Sequence, residues 1–157
     1  MGDRDKKPHL HVAAGLVWKK GKVLIAKRPK GSHLEGFWEF PGGKQEDGEG
    51  LEDCLERELM EELGLKVRAD EALMTVDHDY GSKMISLHVF SCIPLAGEPK
   101  PIQCQDVRWV DPAGLKEFSF PPPDREVITS LSCFRNSGKK GSLDVLQEKQ
   151  QRVQGCA

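Results

Sequence analysis

The segment Glu56-Arg57-Glu58-Leu59-Met60-Glu61-Glu62-Leu63-Gly64 carries the densest set of side chains able to do chemistry in this sequence. On a helix, Glu58, Glu61 and Glu62 stand at offsets of three and four and share one face. Carboxylates so spaced repel one another by about 0.2–0.5 kcal/mol per pair even in water. A partly buried cluster costs more unless a cation neutralises it. Hard oxygen donors, with water in the remaining positions, suit Mg²⁺ or Mn²⁺. Taken alone, three such glutamates more often mean a solvated acidic face, here paired with Arg57 and Lys66. The surroundings argue otherwise. Gly43 stands six residues before Glu49, and Glu49 eight before Arg57. Leu59, Glu61-Glu62, Gly64 and Leu65 then complete the pattern Gx5Ex7RE(apolar)xEExG(apolar).

The helix that must present these carboxylates is the clearest in the chain. Leu51, Leu55, Leu59 and Leu63 recur every four residues, and Gly64 follows at the usual C-terminal stop. Upstream, residues 9–18 read as a buried strand, Lys19-Lys20-Gly21-Lys22 as a hairpin turn and residues 23–27 as the returning strand. Residues 29–36 form a polar loop, residues 38–40 a short extended piece, and Pro41-Gly42-Gly43 a break. Downstream, strands are expected at residues 66–68, 72–78, 84–93 and 107–110. Helix starts are expected at Asp111-Pro112 and Pro123-Asp124, the second running to about Cys133. Residues 1–8 are a charged leader expected to fray. This is one domain over residues 9–134 with a polar tail over 135–157. Its class is α/β of the α+β kind, with helices around a mixed sheet.

Composition excludes several function classes. The chain has 157 residues, 31% charged and 38% hydrophobic, the balance of a globular domain. With 23 basic and 25 acidic residues there is no basic excess to hold duplex nucleic acid. The longest apolar run, residues 12–18, is far short of the roughly 20 residues that cross a bilayer. No basic-then-apolar opening suggests a secretory signal. The five cysteines form no CxxC pair, which fits reduced thiols in the cytoplasm. Oligomeric state is left open.

From Gly43 to Leu65 the sequence resembles the signature box of the Nudix hydrolases at every fixed position. That resemblance implies an α/β/α Nudix sandwich, in which a loop–helix–loop holds divalent cations, Mg²⁺ or Mn²⁺, against a diphosphate. Glu58, Glu61 and Glu62 are then the expected metal ligands, with the carbonyl of Gly42 or Gly43. Arg57 is expected to orient the carboxylates, through Glu49 above all. Glu49 or Glu58 is expected to position or deprotonate the attacking water. Mg²⁺ would neutralise the diphosphate and lower the pKa of bound water.

The resemblance extends to the MutT branch, which hydrolyses nucleoside triphosphates to monophosphate and pyrophosphate. It rests on Arg28-Pro29, His33-Leu34, Gly36-Phe37-Trp38-Glu39-Phe40-Pro41-Gly42-Gly43-Lys44, Trp109 and Phe120-Pro121-Pro122-Pro123-Asp124. Arg28, Glu39, Phe40, Lys44 and Asp124 are the implied substrate contacts, whereas Trp38, Trp109 and His33 are read as structural. Three positions depart from the branch. Asp124 replaces an Asn that reads the oxidised purine, Ser82-Lys83 replaces an Asp-Arg pair, and Gln103 stands where a metal-binding Glu is common. The expected substrate is an oxidised or modified nucleotide such as 8-oxo-dGTP. dCTP or a 5-substituted dCTP is the alternative, dinucleoside polyphosphates or sugar nucleotides are a third, and a non-catalytic nucleotide-binding module comes last.

Overall fold

The computed structural model of the chain describes residues 6–137. Its strands are β1 (His9–Lys19), β2 (Lys22–Lys27), β3 (Trp38–Glu39), β4 (Gly42–Lys44), β5 (Lys66–Asp79), β6 (Met84–Ala96) and β7 (Asp106–Val110). Helix α1 (Leu51–Leu63) lies between β4 and β5, and a 3-10 helix (Pro112–Glu117) and α2 (Pro122–Ser137) follow β7. The expected hairpin joins β1 to β2. Lys20 and Gly21 take φ values of 53° and 79°, the pair of positive angles a two-residue type I′ turn requires.

β1 is the strand everything else shares. It pairs β6 in parallel from His9↔Met84 to Val17↔Cys92. Its opposite edge takes β4 at residues 12–14 and β2 at residues 18–19, both antiparallel. The strand order is β3-β2-β1-β6-β5, with β4 added on β1 and β7 on β2. This is the mixed central sheet expected from the sequence.

Because successive β1 side chains point to opposite faces, the strand feeds two cores. Ala13 and Val17 enter the one beneath α1, with Leu55, Leu59, Leu63 and Phe90. Ala14 and Leu16 enter the other, beneath the 3-10 helix and α2, with Phe40, Leu115, Phe120 and Val127. α1 ends as its sequence foretells. Gly64 is left-handed at φ 67°, and its N–H donates to the Met60 carbonyl at 2.9 Å.

Several boundaries differ from the sequence reading. Residues 66–68 and 72–78 belong to one strand, β5, because bulges near Ala69 and Ala72 absorb the irregular pattern that looked like a gap. Asp111 caps a 3-10 helix rather than an α-helix, its Oδ1 accepting from Ala113 N–H at 2.9 Å. Gly42 and Gly43, read as a break, form β4. α2 extends to Ser137, so the expected tail overlaps its last turn, and residues 138–157 lie outside the described residues. Within the expected leader, Lys7 Nζ meets Asp79 Oδ1 at 2.8 Å and Pro8 accepts from Met84 N–H. No helix among the described residues is long and apolar enough to cross a membrane.

Leu59 holds α1 on the sheet from a fully buried position. Leu59→Ala should cost about 2–5 kcal/mol, read as a lower urea midpoint at unchanged slope. A loss below about 1 kcal/mol would mean that this helix is not held by its leucine face.

Candidate active site

β4 and α1 meet where side chains have been removed. A Cβ on Gly42 would collide with the Ala13 carbonyl oxygen and stand 2.8 Å from the Ala14 Cα. Only glycine allows β4 to approach β1 so closely. At Gly43 the missing side chain is replaced by Glu58, whose Cγ would lie 2.7 Å from an added Cβ. The carboxyl of Glu58 therefore rests directly on the β4 main chain. Beneath them, the buried Cys54 Sγ points to the Gly43 carbonyl at 3.5 Å.

Arg57 organises the carboxylates around this contact. Its Nε and Nη2 grip Glu49 as a fork, at 2.6 and 2.9 Å. Its Nη1 donates to Glu58 Oε2 at 3.0 Å and to Glu61 Oε1 at 3.2 Å. Nη2 also reaches the Lys44 carbonyl at 3.4 Å, which ties α1 to the end of β4. One planar guanidinium with donors on two edges can serve all these acceptors; a lysine could not. The hydrogen bond from Arg57 holds Glu49 down at about 2, so this carboxylate is ionised across the physiological range.

The remaining acids are pushed the other way. Burial raises Glu58, with Arg57 opposing. Burial also lifts Glu62 to about 8, helped by the nearby charges of Glu39 and Glu58. Glu39 is raised by burial against its ion pair with Arg28 Nη1 at 2.7 Å. Asp124, 6% exposed in the first turn of α2, is lifted to about 8 by burial and by Glu39. Its Oδ2 accepts from Phe40 N–H at 3.2 Å.

These groups line one cleft of 390 Å³. Of the expected site residues, the cleft brings together Arg28, Glu39, Phe40, Gly42, Gly43, Lys44, Glu58, Glu62 and Asp124. Glu49, Arg57 and Glu61 stand behind them in the ion-pair network. Phe40 is only 2% exposed, and its ring stacks on Phe120 with centroids 5.6 Å apart, so it offers the cleft mainly its main chain. Trp38 packs edge-on against Phe118 at 5.2 Å, as a structural residue should. Tyr80 and Lys83 also line the cleft, and Tyr80 meets His33 edge-on at 5.3 Å. No spacing rule singles out Tyr80, because its place depends on the turn between β5 and β6. Gln103 is exposed, and its N–H donates to the Glu62 carbonyl at 3.1 Å, bringing it beside α1.

The donor set fits a hard divalent cation. Glu62 Oε1 is buried with no hydrogen-bond partner, a state that a cation would relieve. Glu58 lies on the same helix face, against Gly43. Among the described residues no three acidic, His or Cys side chains converge as a closed cage, since Glu61 turns to Arg57.

Burial of Asp124 gives a stability prediction. Its folded pKa of about 8 lies above the roughly 3.9 of an unfolded Asp. The contribution is therefore complete below about pH 4 and is lost as pH rises through about 8. Asn keeps an acceptor for Phe40 N–H without titrating. Urea midpoints measured from pH 5 to pH 9 should decline less for Asp124→Asn than for the parent. Parallel declines would mean that Asp124 does not carry this proton.

Comparison with known proteins places the geometry in a family. The model described as NUDIX domain matches residues 13–130. An 8-oxo-dGTP diphosphatase of Proteus vulgaris is 52% identical over 87 residues, covering 55% of this chain and 77% of the relative. A CTP pyrophosphohydrolase of Escherichia coli (strain K12) is 29% identical over 126 residues, covering 80% of this chain and 93% of the relative. The solution structure of the E. coli ORF135 protein has a TM-score of 0.74 at 28% identity, over 87% of this chain and 96% of that one. With the matched region containing β4, α1 and every carboxylate of the cleft, the chain belongs to the Nudix family, as a MutT-like hydrolase of phosphoric anhydrides.

Proposed function

We propose that the chain is a Mg²⁺-dependent nucleoside triphosphate diphosphatase, converting a nucleoside triphosphate and water to the monophosphate and pyrophosphate. The observation that carries this reading is the joining of two chemistries in one cleft. Glu58 and Glu62 face it from α1, while Asp124 and the Phe40 main chain offer it hydrogen-bonding groups able to meet a base. When bound, Mg²⁺ supplies charge neutralisation for the diphosphate and lowers the pKa of bound water.

On this reading the residues of the chain divide the work. Glu58, Glu61, Glu62 and a carbonyl of Gly42 or Gly43 hold the cation. Arg57 keeps Glu49 and Glu58 in place, and one of these two orients the attacking water and takes its proton. Lys44 and Arg28 face the phosphates and sugar, Arg28 with its guanidinium already braced on Glu39 and on the His33 carbonyl at 2.6 Å. Asp124 and Phe40 meet the base.

The substrate we favour is an oxidised purine nucleotide such as 8-oxo-dGTP, which would make the protein a cleanser of the nucleotide pool. It is supported by the 52% identity to a relative of that activity. dCTP or a 5-substituted dCTP is the second reading, favoured by the near full-length match to the CTP pyrophosphohydrolase. Turnover of 8-oxo-dGTP, dGTP, dCTP and 5-methyl-dCTP with Mg²⁺, scored by kcat/KM and by the phosphate species released, tests both. Pyrophosphate release with a preference for 8-oxo-dGTP supports the first and a dCTP-type preference the second. No turnover on any of them overturns both.

Two variants test the assigned roles on whichever substrate is turned over. Glu58→Gln should lower kcat by about 10²-fold or more, the scale of losing a positioned acid–base group. Full turnover in that variant would sink the assignment. Arg57→Lys keeps the charge but loses the fork, so kcat should fall roughly 10-fold or more with KM little changed. Unchanged kcat would mean that the fork on Glu49 has no part in the reaction.

A further inference from the structure

Three imidazoles outside the cleft have no part in the reaction proposed above. His9 and His11 are two apart on β1 and project from the face that carries Ala13, and His88 meets them from β6. Their rings stack, with centroids 4.5 Å apart for His9 and His11 and 5.2 Å apart for His11 and His88. His11 Nδ1 stands 3.0 Å from His88 Nε2, a hydrogen-bond distance. A hydrogen bond between two ring nitrogens needs one proton and one lone pair to receive it.

That requirement limits the charge the pair can hold. When both rings are neutral, one donates and the other accepts. With one extra proton, the charged ring donates and the neutral ring still accepts. With two, both facing nitrogens carry hydrogen, the bond is lost and like charges meet. On the far side of His88, Thr75 Oγ1 lies 3.1 Å from Nδ1, and a hydroxyl can accept or donate, so that contact survives in every state. The limit lies between His11 and His88.

The surroundings reduce this repulsion only in part. Ser86 Oγ donates to Asp77 Oδ1 at 2.5 Å and meets His9 Nε2 at 2.7 Å, which brings the Asp77 carboxylate near the stack from β5. Lys44 on β4 and Glu46, Asp47 and Glu49 in the loop after it face His9 and His11 across a hollow. Lys44 adds positive charge, and Glu49 is already matched by Arg57. Burial and the neighbouring His11 and His9 hold His88 below the usual imidazole range, against the pull of Asp77.

We infer that His11 and His88 form a proton-operated latch between β1 and β6, closed while the pair carries one charge or none and released by its second proton. The latch bears on the site through the main chain. Gln45 N–H donates to the His11 carbonyl at 2.8 Å, and Gln45 Nε2 to the Glu49 carbonyl at 2.6 Å. The loop that delivers Glu49 to Arg57 therefore hangs on the strand that the latch secures. In an unfolded chain both imidazoles take up protons at about pH 6.5, whereas the closed latch accepts only one. Its contribution to stability is present above about pH 6.5 and is lost as pH falls below it, the opposite sign to Asp124.

Urea unfolding of the full chain from pH 5 to pH 8 tests this in the parent, His11→Gln, His88→Gln and the double variant. Glutamine keeps a donor and an acceptor and takes no proton. Between pH 8 and pH 5 the parent's unfolding constant should rise roughly 10-fold or more relative to that of either single variant, the effect of moving one proton's uptake by about one pH unit. The double variant should match the single ones, because one titrating ring alone has no second proton to refuse. Ring-proton NMR of the parent, which requires no variant to fold, should show His11 and His88 titrating in two linked steps. In His88→Gln the His11 ring should titrate in one. Equal pH dependence in the parent and the single variants, additive effects in the double variant, or two rings in the parent that each titrate in a single step near pH 6.5 overturn the latch.

Discussion

The close approach of β4 to β1 is the constraint on which the rest of the site depends. Gly42 has no room for a side chain against Ala13 and Ala14, and the space beside Gly43 is filled by Glu58. With those two side chains absent, α1 can press its acidic face against a strand's main chain while its leucines reach the core. One helix thus does two jobs a few ångströms apart. Its apolar stripe supplies the burial that fixes it, and its polar stripe delivers carboxylates to an edge they would otherwise avoid. A methyl group at either glycine would disturb both, because the helix cannot retreat from β4 without lifting Leu55 and Leu59 out of their core.

Electrostatics then sorts residues of one chemical type into different states. Glu49 touches the Arg57 fork and stays ionised, at about 2. Glu62, one helical turn beyond Glu58, is buried among other acids and is lifted to about 8. The difference follows from partner and solvent, not from the carboxyl group itself. It also explains why Arg57 belongs in the network. A set of acids this dense would otherwise discharge by binding protons, and a protonated acid is a poor ligand. Arg57 holds Glu49 as an anion and opposes the burial that raises Glu58, which keeps donor charge facing the place where a cation is proposed to sit.

The helix and its acidic face were legible because their signals are local: a four-residue leucine spacing, a stop glycine and a fixed motif. The hairpin turn at residues 19–22 was legible for the same reason. β4 was not, since Gly42 and Gly43 look like a break until the distance to Ala13 is known. Nor was the unity of β5, where bulges interrupt the alternation that marks a strand. Within the site, the link of Arg57 to Glu49 and Glu58 was expected from the resemblance to the Nudix box, whereas the place of Tyr80 was not legible, nor, outside the site, was the meeting of His11 with His88. His11 and His88, which meet at 3.0 Å, are 77 residues apart in the chain. Only the parallel pairing of β1 with β6, a long-range choice of register, brings them together.

The same dependence on long-range burial bears on base recognition. By sequence alone Asp124 is ambiguous, because a carboxyl can accept from a base and, if protonated, can also donate. Its surroundings narrow the choice. Oδ2 is engaged by Phe40 N–H, and burial holds the group near 8, so at neutral pH it carries a proton. On the proposal that Asp124 meets the base, it therefore acts at neutral pH as a donor, much as an amide would. It becomes a pure acceptor only in alkali. An Asp here can thus replace an Asn without reversing the hydrogen-bond pattern, provided that the walls contributed by Glu39 and α2 keep water out.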